Sequence, residues 1–260
     1  MYIADQSIQI GKDLLIRLPK RLVGLLPFLR DFTRFRRGGD GRFAVPLKEV
    51  YPCLNDKVYT TPFDQHYIYH PAWAARILAE TKPEYHVDIS SILSFSTLVS
   101  AFLPVRFYDY RPAELELEGL TSERADLMNL AFGDDSIASL SCMHTIEHVG
   151  LGRYGDKLDP QADLRAISEL KRVLKPGGDL LFVTPVGRPM VAFNAHRIYS
   201  YEQIVEAFHP LVPMEFSLVP DAGGLIRNAD PAMVADQRYG CGCFWFRKPA
   251  NEGRKPATNH

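Results

Sequence analysis

Five consecutive residues, His144-Thr145-Ile146-Glu147-His148, put two imidazoles and a carboxylate within one short stretch. An imidazole titrates close to working pH, so His144 or His148 is suited to take a proton from a substrate hydroxyl. The same residues spell H-x-x-E-H, a spacing that holds zinc when one helix presents both histidines. Here they close an apolar run and lead into Val149-Gly150-Leu151-Gly152, which offers no helix long enough, so no metal is expected from this motif. The reading with least chemistry is a histidine that orders its own loop. Two further islands are dense in polar groups, Gly150–Asp156 (GLGRYGD) and Ala192–Tyr199 (AFNAHRIY). Arg153, Tyr154, Asn194, His196 and Arg197 supply the guanidinium forks and amides that bind a polar or anionic acceptor such as a sugar or a phosphate. Local loop bonding is the alternative use of each.

Such residues need elements to hold them. Tyr85–Ser90 reads as a buried strand around Asp88, Pro104–Asp109 as a second, Ser136–His144 as a third and Asp179–Pro185 as a fourth, with Pro213–Val219 and Cys243–Phe246 later. Helices are expected from Pro71 through AWAARILAETKP, over Leu93–Phe102, over Gln161–Leu174 before Lys175-Pro176-Gly177-Gly178, and over Tyr199–Phe208. Phe43–Tyr69 is aromatic, punctuated by proline and without a sustained period. The alternation predicts an α/β fold, a Rossmann-like doubly wound, mostly parallel sheet with helices on both faces. Ligands of such a sheet sit beyond the carboxyl ends of the strands, where the winding reverses. Asp109 falls at one such end, where a carboxylate accepts hydrogen bonds from a pair of hydroxyls. Its alternative is an N-cap for a segment starting at Pro112.

Arg124–Val149 (RADLMNLAFGDDSIASLSCMHTIEHV), followed by Asp163–Pro185 (DLRAISELKRVLKPGGDLLFVTP), resembles the second half of a class I S-adenosylmethionine-dependent methyltransferase domain. There an acidic residue, a Leu-Pro-Phe-x-Asp-x-Ser-Phe-Asp run, a strand ending in Leu-Glu-His and an Arg-Val-Leu-Lys-Pro-Gly-Gly turn follow in that order. The resemblance implies S-adenosylmethionine as cofactor. It sets Asp88, Ser90 and Ser94 in the family's Asp-x-Gly-x-Gly-x-Gly loop, Asp109 on the ribose hydroxyls, and Asp126 with the Leu127 amide at the adenine. His144, Glu147 and His148 then serve the acceptor. The chain departs from the pattern at Ile92, a β-branched residue in a glycine position and poorly suited to positive φ. From His66 to Asp221, with HVDISS, GRYGD and FNAHRIY, the chain more closely resembles a methyltransferase-like family of unknown function met among surface-polysaccharide genes. That resemblance implies O-methylation of a saccharide or lipid-linked glycan. The alternative is a catalytically silent Rossmann-like module that binds a glycan intermediate or a partner in polysaccharide biosynthesis, and a third reading uses Arg153 and Arg197 for a nucleotide or sugar phosphate.

With 260 residues, 46% of them hydrophobic, the chain can bury one substantial core and carry an N-terminal appendage. A net charge of -1 gives no whole-chain reason to expect nucleic acid as a partner. Cys53, Cys142, Cys241 and Cys243 form neither a CxxC pair nor a recognisable zinc spacing, and reduced thiols are expected. No apolar run reaches about 18 residues, and the N-terminus lacks a secretory signal pattern, so a cytoplasmic location is expected. Residues 8–37 interleave Lys12, Arg17, Lys20, Arg21, Arg30, Arg34, Arg36 and Arg37 with Leu, Ile, Val and Phe. This basic amphipathic N-terminal arm, broken at Pro19 and Pro27, suits peripheral contact with an anionic membrane face or packing on the domain. The expected organisation is an arm over 1–42, a Rossmann-like methyltransferase-type domain with an aromatic lead-in over 43–250, and a disordered tail over 251–260. Gly240-Cys241-Gly242 reads as a tight turn before the last strand.

Overall fold

The computed structural model of the chain describes residues 24–250, so the expected arm before residue 24 and the expected tail after residue 250 lie outside the described residues. The chain divides into two compact units, one ending at Pro62 and the other beginning at Phe63. In the first, helix α1 covers residues 24–38 and runs through Pro27, where the sequence predicts a break. Proline fixes φ near the helical value and removes a single backbone donor, so the turns around it persist. Among the described residues, the rest of that unit is irregular apart from one 3-10 turn at Leu47–Glu49. Among the described residues, no helix is long and apolar enough to cross a membrane.

The second unit is built on a seven-stranded sheet. Its strands are β1 (His86–Ile89), β2 (Val105–Asp109), β3 (Leu120–Arg124), β4 (Ile137–Met143), β5 (Leu174–Val186), β8 (Val212–Val219) and β9 (Gly240–Arg247). Their order is β3-β2-β1-β4-β5-β9-β8. The first five pair in parallel, and β9 runs antiparallel to both β5 and β8. A small hairpin, β6 (Met190–Ala192) with β7 (His196–Ile198), stands apart. Helices α2 (Gln65–Thr81), α3 (Leu93–Val99), α4 (Ala162–Val173) and α5 (Tyr201–Phe208) complete the fold. This is the doubly wound, mostly parallel arrangement that the alternation of elements predicts.

The two-residue period of a strand sorts its side chains onto opposite faces. Leu180 and Phe182 of β5 and Phe244 and Phe246 of β9 join Ala166, Ile167 and Leu170 of α4 and Ile204 and Phe208 of α5. Leu181, Val183, Cys241 and Cys243 join Trp73 and Ile77 of α2 and Phe95 and Val99 of α3 on the other face. Burying each large apolar side chain contributes roughly 1.5–3 kcal/mol, which holds the two helical layers on the sheet.

Helix α2 begins at Gln65, ahead of the expected start at Pro71, because the Asp64 side chain accepts the Tyr67 N–H and caps it. His66 therefore lies on a helix and not in an irregular lead-in, and His70 lies on the same helix. Strand β3 and the β6–β7 hairpin are additions to the sequence reading. Gly240-Cys241-Gly242 lies inside β9, paired with β5, and is not a turn before it. A Cβ at Gly242 would stand 2.5 Å from Val186 Cγ1 and 2.8 Å from Phe244 Cε2, so glycine permits this close packing. Gly242→Ala is expected to destabilise the chain by about 1–3 kcal/mol, seen as a lower urea midpoint at unchanged slope. A midpoint equal to wild type would rule out the tight contact.

Candidate functional site

The carboxyl ends of β1, β2 and β4 open onto a cleft of about 360 Å³, lined among others by Ser90, Asp109, Asp126, Leu127, His144 and Tyr154. A second pocket of about 460 Å³ shares Ser90, His144, His148 and Tyr154 with it and adds Glu147, Arg153, His196 and Tyr239. The expected strand-end residues thus meet at the place the sheet geometry requires.

Beneath the cleft lies a polar network. Asp88 is fully buried. Its Oδ1 accepts the Ser141 hydroxyl at 2.6 Å, and its other oxygen accepts the Ser96 hydroxyl. Ser141 Oγ lies 2.9 Å from His86 Nε2, and Ser139 Oγ 2.8 Å from His86 Nδ1. Burial pushes the Asp88 carboxyl up to about 6 against the lowering effect of its serine hydroxyls. Burial also lowers His86 to about 3, which keeps that ring neutral. Above the network, the Met143 N–H donates to Ser91 Oγ at 3.1 Å and Thr145 Oγ1 to the Ser90 carbonyl at 2.9 Å. The loop after β1 is thereby fastened to the end of β4.

This placement revises the implied cofactor roles. Asp88 supports the loop from the α2/α3 face, because alternate residues of β1 point there, and it does not line the cleft. Ser94 is exposed on α3 and lines neither pocket. Ser90 lines both and adopts φ +57, taking the left-handed conformation itself. Ile92 sits at φ -64 and ψ 129, an ordinary extended conformation at the start of α3, so the expected steric obstacle does not arise. Its side chain instead forms part of the second pocket. Asp109 Oδ1 accepts the Arg111 N–H at 2.7 Å, and Asp126 Oδ1 the Met128 N–H at 2.9 Å. Each carboxylate is fixed by its own turn while facing the cleft.

On the acceptor side, His144 has φ +55 at the strand end. Its Nδ1 lies 2.8 Å from Glu147 Oε1, and the two side chains are only 3% and 1% exposed. His144 Nδ1–H donates to the buried carboxylate, leaving His144 Nε2 and Glu147 Oε2 buried without partners among the described residues. Ile146–His148 is a single 3-10 turn, so the helical H-x-x-E-H zinc geometry is not formed. His148 Nδ1 lies 2.6 Å from the Ala195 carbonyl, which also accepts Arg153 Nη1–H at 3.1 Å. A carbonyl only accepts, so Nδ1–H donates to it, with Arg153 Nη1 also 3.2 Å from Nδ1; in that tautomer Nε2 is the accepting nitrogen. Tyr154 lies between two guanidinium groups, Arg111 at 4.7 Å and Arg153 at 5.1 Å from the ring centre. Asp156 organises this loop by accepting backbone N–H groups of Gly150 and Tyr154 at 2.7 and 3.2 Å. Partial burial raises its pKa, the backbone donors outweigh that, and the net shift is downward.

Two expected acceptor residues are placed elsewhere. Arg197 is buried, donates to the Val149 carbonyl at 2.6 Å and lies 3.6 Å from Asp163, so it pins the loop. Asn194 is exposed and lines neither pocket. His196 does line the second pocket, and burial, then the neighbouring His148, lowers its pKa. Sequence reasoning overlooks a ring cluster around His144. His66 stacks on it at 5.4 Å, Tyr67 lies at 5.3 Å and His70 packs edge-on at 5.0 Å, while Tyr239 stacks on the far side of His66 at 5.2 Å. The available signal was the four-residue spacing of His66 and His70 behind a capping Asp64, which sets both on one helix face.

Residues 128–208 match the family described as Caenorhabditis protein of unknown function, DUF268. No curated protein is similar to the chain. A putative methyltransferase of Bacillus halodurans is similar in structure, with 15% identity, a TM-score of 0.50 and coverage of 69% of this chain and 99% of that one. A putative methyltransferase of Haloferax volcanii, in complex with its Trm112 activator, is similar at 18% identity and TM-score 0.49 over 73% and 92% of the two chains. The first likeness shows the fold: a Rossmann-like sheet of the kind found in methyltransferases.

The Asp88 network has a measurable pH signature. Its folded pKa of about 6 lies above the ordinary value of 3.8, so the folded chain binds more protons than the unfolded one between those values. Its contribution favours folding at low pH and is lost as pH rises through about 6. Asp88→Asn removes that dependence, so the variant is expected to gain stability relative to wild type between about pH 4 and pH 7, by at most about 1.4 kcal/mol per pH unit. Denaturant unfolding across that range tests this, and a pH-independent difference would contradict it.

Proposed function

We propose that the chain is an S-adenosylmethionine-dependent methyltransferase that methylates an oxygen of a saccharide or lipid-linked glycan. The observation that carries this reading is the convergence of Asp109 and Asp126–Leu127, from separate segments, on one strand-end cleft. Asp109, with Oδ1 fixed by Arg111 N–H, has its other oxygen for ribose hydroxyls. Asp126 and the Leu127 amide hold the adenine edge. Bound there, S-adenosylmethionine supplies an electrophilic methyl group for in-line displacement, which needs chiefly alignment.

His148 borders both the cleft and the second pocket and keeps its Nε2 lone pair. It takes the proton that the acceptor hydroxyl loses as its oxygen bonds the methyl carbon. The second pocket offers Arg153, His196 and the rings of Tyr154 and Tyr239, a mixture of flat apolar faces and polar edges suited to a sugar. A lipid-linked acceptor is favoured by α1, where Leu26 and Phe35 are 75% and 69% exposed among Arg30, Arg34, Arg36 and Arg37. That composition suits an anionic membrane face. The catalytically silent reading is favoured by the Ile92 side chain in the wall of the second pocket, where an acceptor would lie.

Calorimetric titration is expected to show binding of S-adenosylmethionine and S-adenosylhomocysteine by wild type, weakened about 10- to 100-fold in Asp109→Ala, the effect of losing hydrogen bonds to a charged group. His148→Ala is expected to keep cofactor affinity while methyl incorporation into host glycans falls about 10²- to 10⁴-fold. Folded wild type that binds neither compound overturns the reading and leaves the silent module.

A further inference from the structure

Three side chains far apart in sequence, His66 of α2, His144 at the end of β4 and Cys241 of β9, bring one potential ligand atom each to within 4.8 Å of one another. Donor separations in a tetrahedral zinc site are about 3.3–3.6 Å, so a small side-chain closure brings all three onto one ion. His144 is prepared in the manner of a metal ligand, in which one ring nitrogen donates to a carboxylate or carbonyl and the other stays bare. His144 does this through Glu147 at 2.8 Å, and its Nε2 is buried without a partner. His70 repeats the pattern beside it, with Nδ1 2.7 Å from the His66 carbonyl and a buried, unpartnered Nε2.

We propose that His66, His144 and Cys241 bind a zinc-class divalent metal ion, with Glu147 orienting His144 behind it. Two imidazoles and a thiolate suit zinc or cobalt and not magnesium or calcium, which take oxygen ligands. Charge supports the assignment. The buried Glu147 carboxylate and a Cys241 thiolate together balance a dication, whereas Glu147 otherwise has its hydrogen bond to His144 and His148 Nε2 at 3.9 Å. Metal binding releases the Cys241 thiol proton to solvent as the sulfur–metal bond forms. The site is reachable: His144 borders the second pocket, His66 borders a further surface pocket, and Tyr67 and Tyr239 border both. Three protein ligands leave the fourth position open toward these pockets, the arrangement of zinc sites that act on a substrate. The set shares only His144 with the H-x-x-E-H spelling, and it stands independently of the methyltransferase reading.

Cobalt(II) is the probe, added to the full-length chain freed of any affinity tag and with no cofactor present. The expected result is a thiolate-to-cobalt charge-transfer band that saturates at one equivalent. Cys241→Ser is expected to abolish the band, and His66→Gln and Glu147→Gln to weaken affinity about 10- to 100-fold. Cys53→Ser, at an exposed cysteine, is expected to leave the band unchanged. His66 is only partly buried, so its variant keeps the test valid if Cys241→Ser misfolds. No charge-transfer band in folded wild type overturns the proposal. So does a band that survives in folded Cys241→Ser, or cobalt affinity unaltered in folded His66→Gln.

Discussion

The arrangement of strand ends depends on one buried carboxylate. Asp88 lies on β1, between β2 and β4, with no exposure, and hydroxyls from β4 and α3 converge on it. A buried ionisable group is tolerated only when its hydrogen bonds are made, and removing a partner exposes the full desolvation cost. Those bonds fix the separation of β1 and β4 and the entry angle of α3. Everything that faces the cleft is suspended from these elements. The neutral His86 extends the network to Ser139 and Ser141, so a polar seam runs through this face of the sheet.

From that anchorage follow two unusual backbone conformations side by side. Ser90 and His144 end neighbouring strands, and both take the left-handed region at φ +57 and +55. Each non-glycine residue held there costs of order 1–3 kcal/mol and persists only where its surroundings determine it. Here they do: Ser90 N–H bonds the Tyr108 carbonyl at 2.7 Å, and His144 N–H bonds the Val183 carbonyl at 2.8 Å. The result turns the His144 ring back over the sheet toward Glu147, His66 and His70, and opens the space between β1 and β4 to a ligand.

How much of this was legible in the sequence follows from the range of the interactions. The buried strands β1, β2, β4 and β5 announce themselves as apolar runs, and Asp109 and His144 at their ends follow from the rule that ligands sit at the carboxyl edge, whereas Asp126, after β3, and His148, beyond the end of β4, come from the resemblance to the methyltransferase pattern. Strand β3 was invisible because Leu-Thr-Ser-Glu-Arg at a sheet edge is mostly exposed and has no apolar period. The first turns of α2 were hidden by Pro71, which reads as a helix start. Asp88 and Arg197 were read as ligand-facing because sequence gives a residue's type and not its side of the strand, and both turn inward. Tyr239 and Cys241 carry no motif, and His66 leaves only its spacing from His70 behind Asp64; α2 and β9 bring them to His144 only in the folded topology.

The central claim is that the β1, β2 and β4 edge is a binding site for the methyl donor or its product. Amide hydrogen exchange of the full chain, with and without S-adenosylhomocysteine, tests it most directly, because protection reports where a ligand stabilises local structure. The account predicts slowed exchange confined to the loop after β1 around Ser90, the turn at Asp109–Arg111 and the turn at Asp126–Met128. Exchange unchanged in all three segments at saturating ligand, or protection appearing elsewhere, would contradict it.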